Sequence, residues 1–173
     1  TPDPSPMPPT ETPPPTFTPP PPPPAIAGEH LVFSRPVPPS GPTWTDKVYP
    51  YGSTRGGRLR PHTGVEFVVP SGTPVLAVAS GTVVAAGNDA AIAYGPQTNF
   101  YGNLVILELD GSNSGTPLYA LYGHLSEVSA TLGQRVNVGD VLGLSGATGV
   151  ADGPHLHFEI RVGQNSYADT RNP

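Results

Sequence analysis

Short apolar runs separated by glycine-containing turns make up most of the chain from Ala25 onward. Several runs alternate apolar and polar residues, which is the period-2 pattern of a strand with one buried face. Glycines between the runs favour hairpins, because glycine adopts the positive φ that tight turns require. No stretch has the 3.6-residue period of an amphipathic helix. The pattern predicts an all-β fold, a compact antiparallel sheet with strands at 65–69, 74–79, 81–86, 104–109, 118–122, 141–145 and 155–162.

One long interruption lies inside this pattern, at residues 85–102. It contains Asn88, a Gly95-Pro96 pair and Asn99, all of which favour turns. Long loops within compact domains often carry function. We therefore expect this loop to wall a cleft.

The first 24 residues differ in composition from the rest of the chain. They consist almost entirely of Pro, Thr, Ser and acidic residues, and they end in six consecutive prolines. Such a segment has little to bury and favours polyproline II, so residues 1–24 are predicted to be a disordered linker of up to roughly 75 Å at about 3.1 Å per residue. A proline-motif ligand for a partner domain is the alternative. Residues 25–50 then lead into one domain at residues 51–173.

Charge and cysteine content exclude several classes of protein. A net charge of −5 argues against a nucleic-acid-binding surface and against a polybasic membrane patch. The one basic cluster, formed by Arg55, Arg58 and Arg60, is interpreted as a solvated loop rather than as a phosphate site. The sequence has no cysteine, which excludes disulfides and thiolate metal sites and leaves histidines and carboxylates as the strong metal ligands.

The chain contains neither a signal peptide nor a transmembrane run, and it begins with Thr1. We therefore expect a piece of a longer, exported polypeptide whose signal or anchor lies upstream. The expected domain is a monomer that acts outside the cytoplasm and does not itself contact a membrane.

The predicted strand at 155–162 carries the strongest chemical signal. Its apolar residues alternate with His155, His157 and Glu159, so these polar residues share one face. Neutral imidazoles are the commonest metal ligands, and Cα atoms two residues apart on a strand lie roughly 6.5 to 7 Å from each other. One histidine can therefore bind a metal while the other reaches over the group that the metal activates. Alternatively, the pair is an exposed polar face or two satisfied side chains near the core.

Two more histidines lie in distinctive settings. His62 opens the run His-Thr-Gly-Val-Glu that ends at Glu66, and His124 lies in Tyr-Gly-His-Leu-Ser. The fifth histidine, His30, is interpreted as a surface or packing residue. His62 and Glu66 would be about 13 Å apart at Cα on a fully extended strand, too far to share one ion easily, so we expect the chain to bend at Gly64.

Residues 132–143 resemble the hairpins of biotinyl and lipoyl carrier domains, which would make the protein a swinging-arm carrier. Carriers need a lysine at a hairpin tip, and the single lysine, Lys47, lies far outside this segment. We therefore interpret residues 132–143 as a carrier-like scaffold hairpin with glycines at its turns.

Three separated motifs together resemble those of the lysostaphin-like, or LytM-type, zinc metallopeptidases that cut peptidoglycan peptides. They are His-Thr-Gly-Val-Glu at 62–66, Tyr-Gly-His-Leu-Ser at 122–126 and Gly-Pro-His-Leu-His-Phe-Glu at 153–159, and they occur in the family's order. The resemblance covers about residues 51–161. It implies a zinc-dependent endopeptidase with one Zn²⁺ ion and with peptidoglycan as its partner.

The resemblance also implies that His62, Glu66 and His157 hold the zinc, while His155 and His124 serve the chemistry. Three protein ligands with a fourth position for water is the arrangement of a catalytic zinc. His155 would take the proton of that water and pass it to the leaving amine. His124 would donate to the developing oxyanion or, alternatively, make a structural hydrogen bond.

One ligand departs from the family pattern. The family usually has Asp at the position of Glu66, whose carboxylate lies one methylene further out. Some family members have lost ligands and activate other hydrolases, so a non-catalytic peptidoglycan-binding or activating module is the alternative. His and carboxylate ligands also suit other divalent ions.

Two acidic residues near the site have other expected roles. Glu159 is predicted to support a ligand or to pair with Arg161 or Arg60, and Asp152 to belong to a turn. Three tyrosines either line a groove or belong to the core, namely Tyr94, Tyr101 and Tyr122.

Overall fold

The computed structural model describes residues 33–41, 45–111 and 115–173, so the expectations for residues 1–24 and His30 lie outside the described residues. Within the described part there are nine strands, one 3₁₀ turn at Tyr167–Asp169 and no α-helix. The all-β prediction is therefore confirmed. The strands are β1 (Val65–Phe67), β2 (Pro74–Leu76), β3 (Gly81–Asn88), β4 (Asn103–Leu109), β5 (Leu118–Val128), β6 (Arg135–Val136), β7 (Val141–Ser145), β8 (Leu156–Val162) and β9 (Thr170–Arg171).

All strand pairs are antiparallel and belong to one sheet, in which the longest path runs β1-β8-β5-β4-β3-β6. The long strand β5 lies at its centre, pairing with β4 and β8 and, near its end, with β7. β2 pairs with β7, and β9 pairs with β8. The arrangement places β8, which carries two of the candidate site residues, between β1 and β5.

Apolar residues cover both faces of the sheet. The larger cluster includes Leu156, Phe158 and Ile160 of β8, the apolar set that the alternation predicts to be buried. A smaller cluster on other residues of β3, β4 and β5 packs around Tyr101. The polar residues of β8 are therefore covered as well, and β8 is buried along almost its whole length.

Several strand bounds differ from the predicted ones. β3 runs on to Asn88, because Gly87 and Asn88 continue the pairing with β4 despite their turn-forming character. β5 continues past Gly123 to Val128, because that part of the strand pairs with β7. His155 lies just before β8 in an isolated bridge to Gly146.

Part of the segment that precedes residue 51 packs on the domain. Val37 is fully buried in the larger apolar cluster, and the backbone N–H of Ser34 donates to the carbonyl of Val78 at 2.8 Å. The division at residue 51 stays a prediction. None of the described helical turns is long and apolar enough to span a bilayer.

Candidate metal and catalytic site

Strand pairing brings the predicted ligands together. β1 lies antiparallel to β8 with Glu66 directly opposite His157, and His62 lies just before β1. The chain bends at Gly64, as expected. Glycine is needed there for space, because a Cβ at this position would lie 2.4 Å from the carbonyl oxygen of Phe158 and 2.8 Å from Nε2 of His157.

One atom from each predicted ligand points to a common position. Nε2 of His62 lies 2.8 Å from Oε1 of Glu66, and Nδ1 of His157 lies 3.0 Å from the same oxygen. The two imidazole nitrogens are 3.3 Å apart, and both rings are buried. Two imidazoles and one carboxylate are a donor set of catalytic zinc sites that keep a position open. These three residues therefore fit a zinc ion.

Electrostatics keep the Glu66 carboxylate ionised. Burial raises the pKa of Glu66, but the charge of His157 and hydrogen bonds with His155 and His157 outweigh burial and hold this pKa far below its usual range. The ring of His62 stacks on Tyr49 at a centroid distance of 4.1 Å and an angle of 13°. The stacking fixes the plane of the His62 ring without using either nitrogen.

The Glu159 carboxylate holds the His157 ring in place through a hydrogen bond. Its Oε1 accepts hydrogen bonds from Nε2 of His157 at 2.9 Å, from Thr63 at 2.6 Å and from the Tyr101 hydroxyl at 2.6 Å. Its Oε2 accepts one from Nε of Arg161 at 2.9 Å. Because Nε2 of His157 donates to Glu159, Nδ1 is the nitrogen of this ring that would give up its proton and bind a metal.

The Glu159 carboxylate is fully buried yet ionised. Burial raises its pKa, but the hydrogen bond and charge of His157 and the charge of Arg161 outweigh burial and lower the pKa to about 2. Of the two ion-pair partners considered for Glu159, the structure shows Arg161 and not Arg60.

His155 and His124 lie beside the three converging atoms, with ring centroids 4.8 Å apart. Nδ1 of His155 donates to the carbonyl of Gly153 at 2.8 Å, and Nδ1 of His124 donates to the carbonyl of Thr148 at 2.8 Å. Since a carbonyl only accepts, each neutral ring carries its hydrogen on Nδ1 and a lone pair on Nε2. Nε2 of His155 lies 3.1 Å from Oε2 of Glu66.

The environment sets different proton affinities for these two rings. Burial and the neighbouring charges of His157 and His155 lower the pKa of His124 to about 4. Burial also lowers the pKa of His155, but the hydrogen bond and charge of Glu66 raise it to above its usual value. His155 is therefore the stronger base of the pair.

A cleft of about 490 Å³ contains these groups, a volume typical of small-ligand and peptide sites. Phe100 from the long loop lines it, as expected for residues 85–102. Asp89 anchors this loop, because its carboxylate accepts hydrogen bonds from the backbone N–H groups of Tyr101 and Gly102 at 2.9 and 3.0 Å. Asp152 also lines the cleft.

Sequence reasoning missed several residues that orient the site. Tyr49, Thr63 and the carbonyls of Thr148 and Gly153 have no separate signal in the sequence, although Thr63 and Gly153 lie inside the motifs. The sequence did not decide whether three tyrosines line the groove or belong to the core. Tyr122 is buried and accepts a hydrogen bond from the N–H of Val78, and Tyr101 is buried against Glu159. The backbone carbonyl of Tyr94 accepts a hydrogen bond from Arg161.

Comparisons with known proteins identify relatives of this chain. The sequence profile of peptidase family M23 matches residues 60–169. The peptidoglycan DD-endopeptidase ShyA of Vibrio cholerae is 37% identical over 105 residues, 61% of this chain and 21% of that protein. The glycyl-glycine endopeptidase ALE-1 of Staphylococcus capitis is 34% identical over 127 residues, 72% of this chain and 30% of that protein. The matched region thus spans less than a third of either relative.

Solved structures share the fold. The catalytic domain of the antimicrobial peptidase lysostaphin from Staphylococcus simulans aligns with a TM-score of 0.57 and 34% identity, covering 72% of this chain and 82% of that one. A zinc-containing peptidase from Vibrio cholerae aligns with a TM-score of 0.59 and 29% identity, covering 79% of this chain and 38% of that one. The resemblance to lysostaphin-like enzymes is confirmed, and the chain belongs to peptidase family M23.

Proposed function

We propose that this chain is a zinc-dependent endopeptidase that hydrolyses peptide bonds in bacterial peptidoglycan. The observation that carries the proposal is the convergence of three donor atoms from His62, Glu66 and His157 beside the Nε2 atoms of two further histidines in one cleft. The endopeptidase relatives support the choice of peptidoglycan as the substrate.

We assign one zinc ion to His62, Glu66 and His157. When bound, zinc lowers the pKa of a water towards 7 and polarises the carbonyl of the peptide bond to be cut. Glu159 accepts the hydrogen of Nε2 and so leaves Nδ1 as the nitrogen of His157 that would bind the ion, and Tyr49 holds the plane of His62. Both ligand rings are therefore oriented before the ion arrives.

His155 acts as the general base. Its Nδ1 donates to the carbonyl of Gly153, so in the neutral ring Nε2 has the lone pair that accepts the proton of the attacking water. The protonated ring then donates that proton to the nitrogen of the leaving amine. This is the role that the family resemblance implies.

His124 takes a different role from the oxyanion donor expected at first. Its hydrogen bond to Thr148 places the hydrogen on Nδ1, and its pKa of about 4 keeps the ring neutral near pH 7. A neutral ring of this tautomer offers only a lone pair at Nε2. We therefore propose that Nε2 of His124 accepts a hydrogen bond from the second O–H of the attacking water and so fixes the orientation of that water.

A degenerate, activating module is not favoured. Loss of function through a changed ligand would leave the donor set incomplete, whereas Oε1 of Glu66 lies within 3.0 Å of both ligand nitrogens. We further propose a monomer that works outside the cytoplasm, with residues 1–24 as a linker, residues 25–50 as a lead-in and residues 51–173 as the peptidase domain.

Digestion of purified peptidoglycan tests the proposal. The zinc-loaded chain is expected to release new amino termini, to stop when the metal is chelated, and to resume when zinc is restored. His155→Ala is expected to abolish release while the chain retains its metal. Binding to peptidoglycan without any release, with or without chelator, would instead establish a non-catalytic module.

A further inference from the structure

Two arginines line the cleft without a carboxylate partner. Arg55 and Arg60 are exposed on the segment that precedes His62, and both contribute to the cleft wall. Arg135 pairs with Asp110 and Arg161 with Glu159, whereas no ion pair joins Arg55 or Arg60 to a residue of the described ranges 33–41, 45–111 and 115–173. Neither guanidinium group of the cleft is paired in this part of the chain, so both can bind an anionic group of a ligand.

Tyr49 links the side chain of Arg55 and the backbone of Arg60 to the metal-binding residue His62. The guanidinium carbon of Arg55 lies 4.8 Å from the centroid of the Tyr49 ring, and the same ring stacks on His62. The Tyr49 hydroxyl donates to the carbonyl of Arg60 at 3.1 Å. A peptide bond held at the metal site therefore has its neighbouring residues within reach of a positively charged edge.

The acidic residues of the cleft do not neutralise Arg55 and Arg60 through ion pairs. Asp46 and Asp152 also line the cleft, but neither forms an ion pair with Arg55 or Arg60. Oδ1 of Asp46 already accepts a hydrogen bond from the backbone N–H of Val48 at 2.8 Å. The whole chain carries a net charge of −5 and therefore repels anions on average. Arg55 and Arg60, together called the Arg55–Arg60 edge, form a local positive surface that attracts them.

We propose that Arg55 and Arg60 bind a carboxylate of the substrate, and that the enzyme prefers acidic stem peptides of peptidoglycan to uncharged glycine bridges. Guanidinium groups bind carboxylates through paired, charge-assisted hydrogen bonds. A glycine bridge has neither side chains nor charges along its length, so it gains nothing from this edge. The inference rests on the proposed function, and it concerns which peptide bonds of peptidoglycan are cut, a point on which the names of the DD-endopeptidase and glycyl-glycine endopeptidase relatives differ.

Matched peptides provide the test. The zinc-loaded chain is given a cross-linked stem-peptide dimer with free carboxylates, the same dimer with those carboxylates amidated, and pentaglycine. Both kcat/KM and the equilibrium Kd are measured for each peptide. We expect amidation to weaken both parameters by about 1.5-fold to fivefold, the range for an exposed ion pair, and pentaglycine to be the poorest substrate.

Variants locate the effect. The double variant Arg55→Gln/Arg60→Gln is expected to lose the preference for the acidic dimer and to treat the acid and amide forms alike. Arg58→Gln is the matched control, because Arg58 is exposed on the same segment but does not line the cleft. It is expected to keep the full preference.

The outcomes separate the two proposals. Equal values for acid and amide in the native chain, or an unchanged preference in the double variant, would overturn the carboxylate assignment while leaving peptidase activity intact. If no peptide is cut, the proposed function fails, and the Kd values alone then decide whether the edge binds carboxylates.

Discussion

Glu66 and His157 face each other across the β1–β8 pair, and Oε1 of Glu66 lies 3.0 Å from Nδ1 of His157. The register of two strands, and not a local motif, therefore sets the distance between two of the three donors. Because the strand register fixes the backbone separation of positions 66 and 157, a change of side-chain length at position 66 changes the distance between the two donor atoms.

Substitution of Glu66 tests its role as a ligand. We expect native protein to hold close to one zinc per chain, Glu66→Asp to keep zinc, and Glu66→Gln to bind zinc at least about 100-fold more weakly because the anionic donor is lost. Elemental mass spectrometry after dialysis measures the metal content. Zinc absent from native protein but present in Glu66→Asp would mean that the longer side chain has disabled the site.

Glu159→Gln tests the support of His157. We expect zinc affinity to fall by about 10-fold to 100-fold, because the amide no longer fixes the tautomer of His157 as a carboxylate does. Stability should fall by about 3 to 5 kcal/mol, since the buried Arg161 loses its counter-charge. Zinc titration of the folded variant and denaturant unfolding measure the two effects.

The control for this variant is Tyr101→Phe, which removes one of the donors to Glu159 but no charge. It should cost about 1 to 3 kcal/mol of stability and leave zinc affinity nearly unchanged. Equal loss of zinc affinity in both variants would show that general damage to the core, and not the carboxylate, controls the site.

His124→Asn tests the proposal that His124 orients the attacking water. Asparagine suits the position because residue 124 has a φ of 62°, a left-handed conformation that asparagine tolerates better than alanine. We expect zinc content to be unchanged and peptidoglycan hydrolysis to fall by about 10²-fold, because the attacking water loses a group that orients it. Full activity with retained zinc would assign His124 to structure alone.

The contact between the long loop and the segment before β8 can be tested at Gly102. A Cβ there would lie 2.4 Å from the backbone nitrogen of Gly149, and the φ of Gly102 is 68°. Gly102→Ala should therefore lower stability by more than about 2 kcal/mol. The measurement is the free energy of unfolding in urea.

Gly133→Ala is the matched control, because Gly133 also has a positive φ, 81°, but nothing lies within 4 Å of its added Cβ. Only the backbone cost of about 1 kcal/mol is expected there. Similar losses for the two variants would mean that the close approach of Gly102 to Gly149 contributes nothing beyond its backbone angle.

The sequence predicts β8 well because its apolar residues alternate and pack into the larger cluster. It does not show that the polar face of β8 is also covered, since that cover comes from Tyr101, 58 residues away from Glu159. Period-2 patterning reports which residues share a face, and only tertiary contacts decide whether that face meets solvent.

The same limit explains the missed parts of the site. The family resemblance of the motifs implies that His62, Glu66 and His157 are neighbours, and the convergence of their donor atoms supports that prediction. The tautomer of His124 could not be predicted, because it depends on the carbonyl of Thr148, which arrives from a separate loop. Strand β6 has only two residues, too few for any periodicity to appear.

The separation of the donors along the chain has a consequence for folding. His62 and His157 are 95 positions apart, and the sequence contains no cysteine with which to form a covalent cross-link. An ion shared by these residues ties the first strand of the sheet to one of its last and closes a long loop, as a disulfide would. Scarcity of the metal would then reduce not only turnover but also the resistance of the whole domain to unfolding and proteolysis.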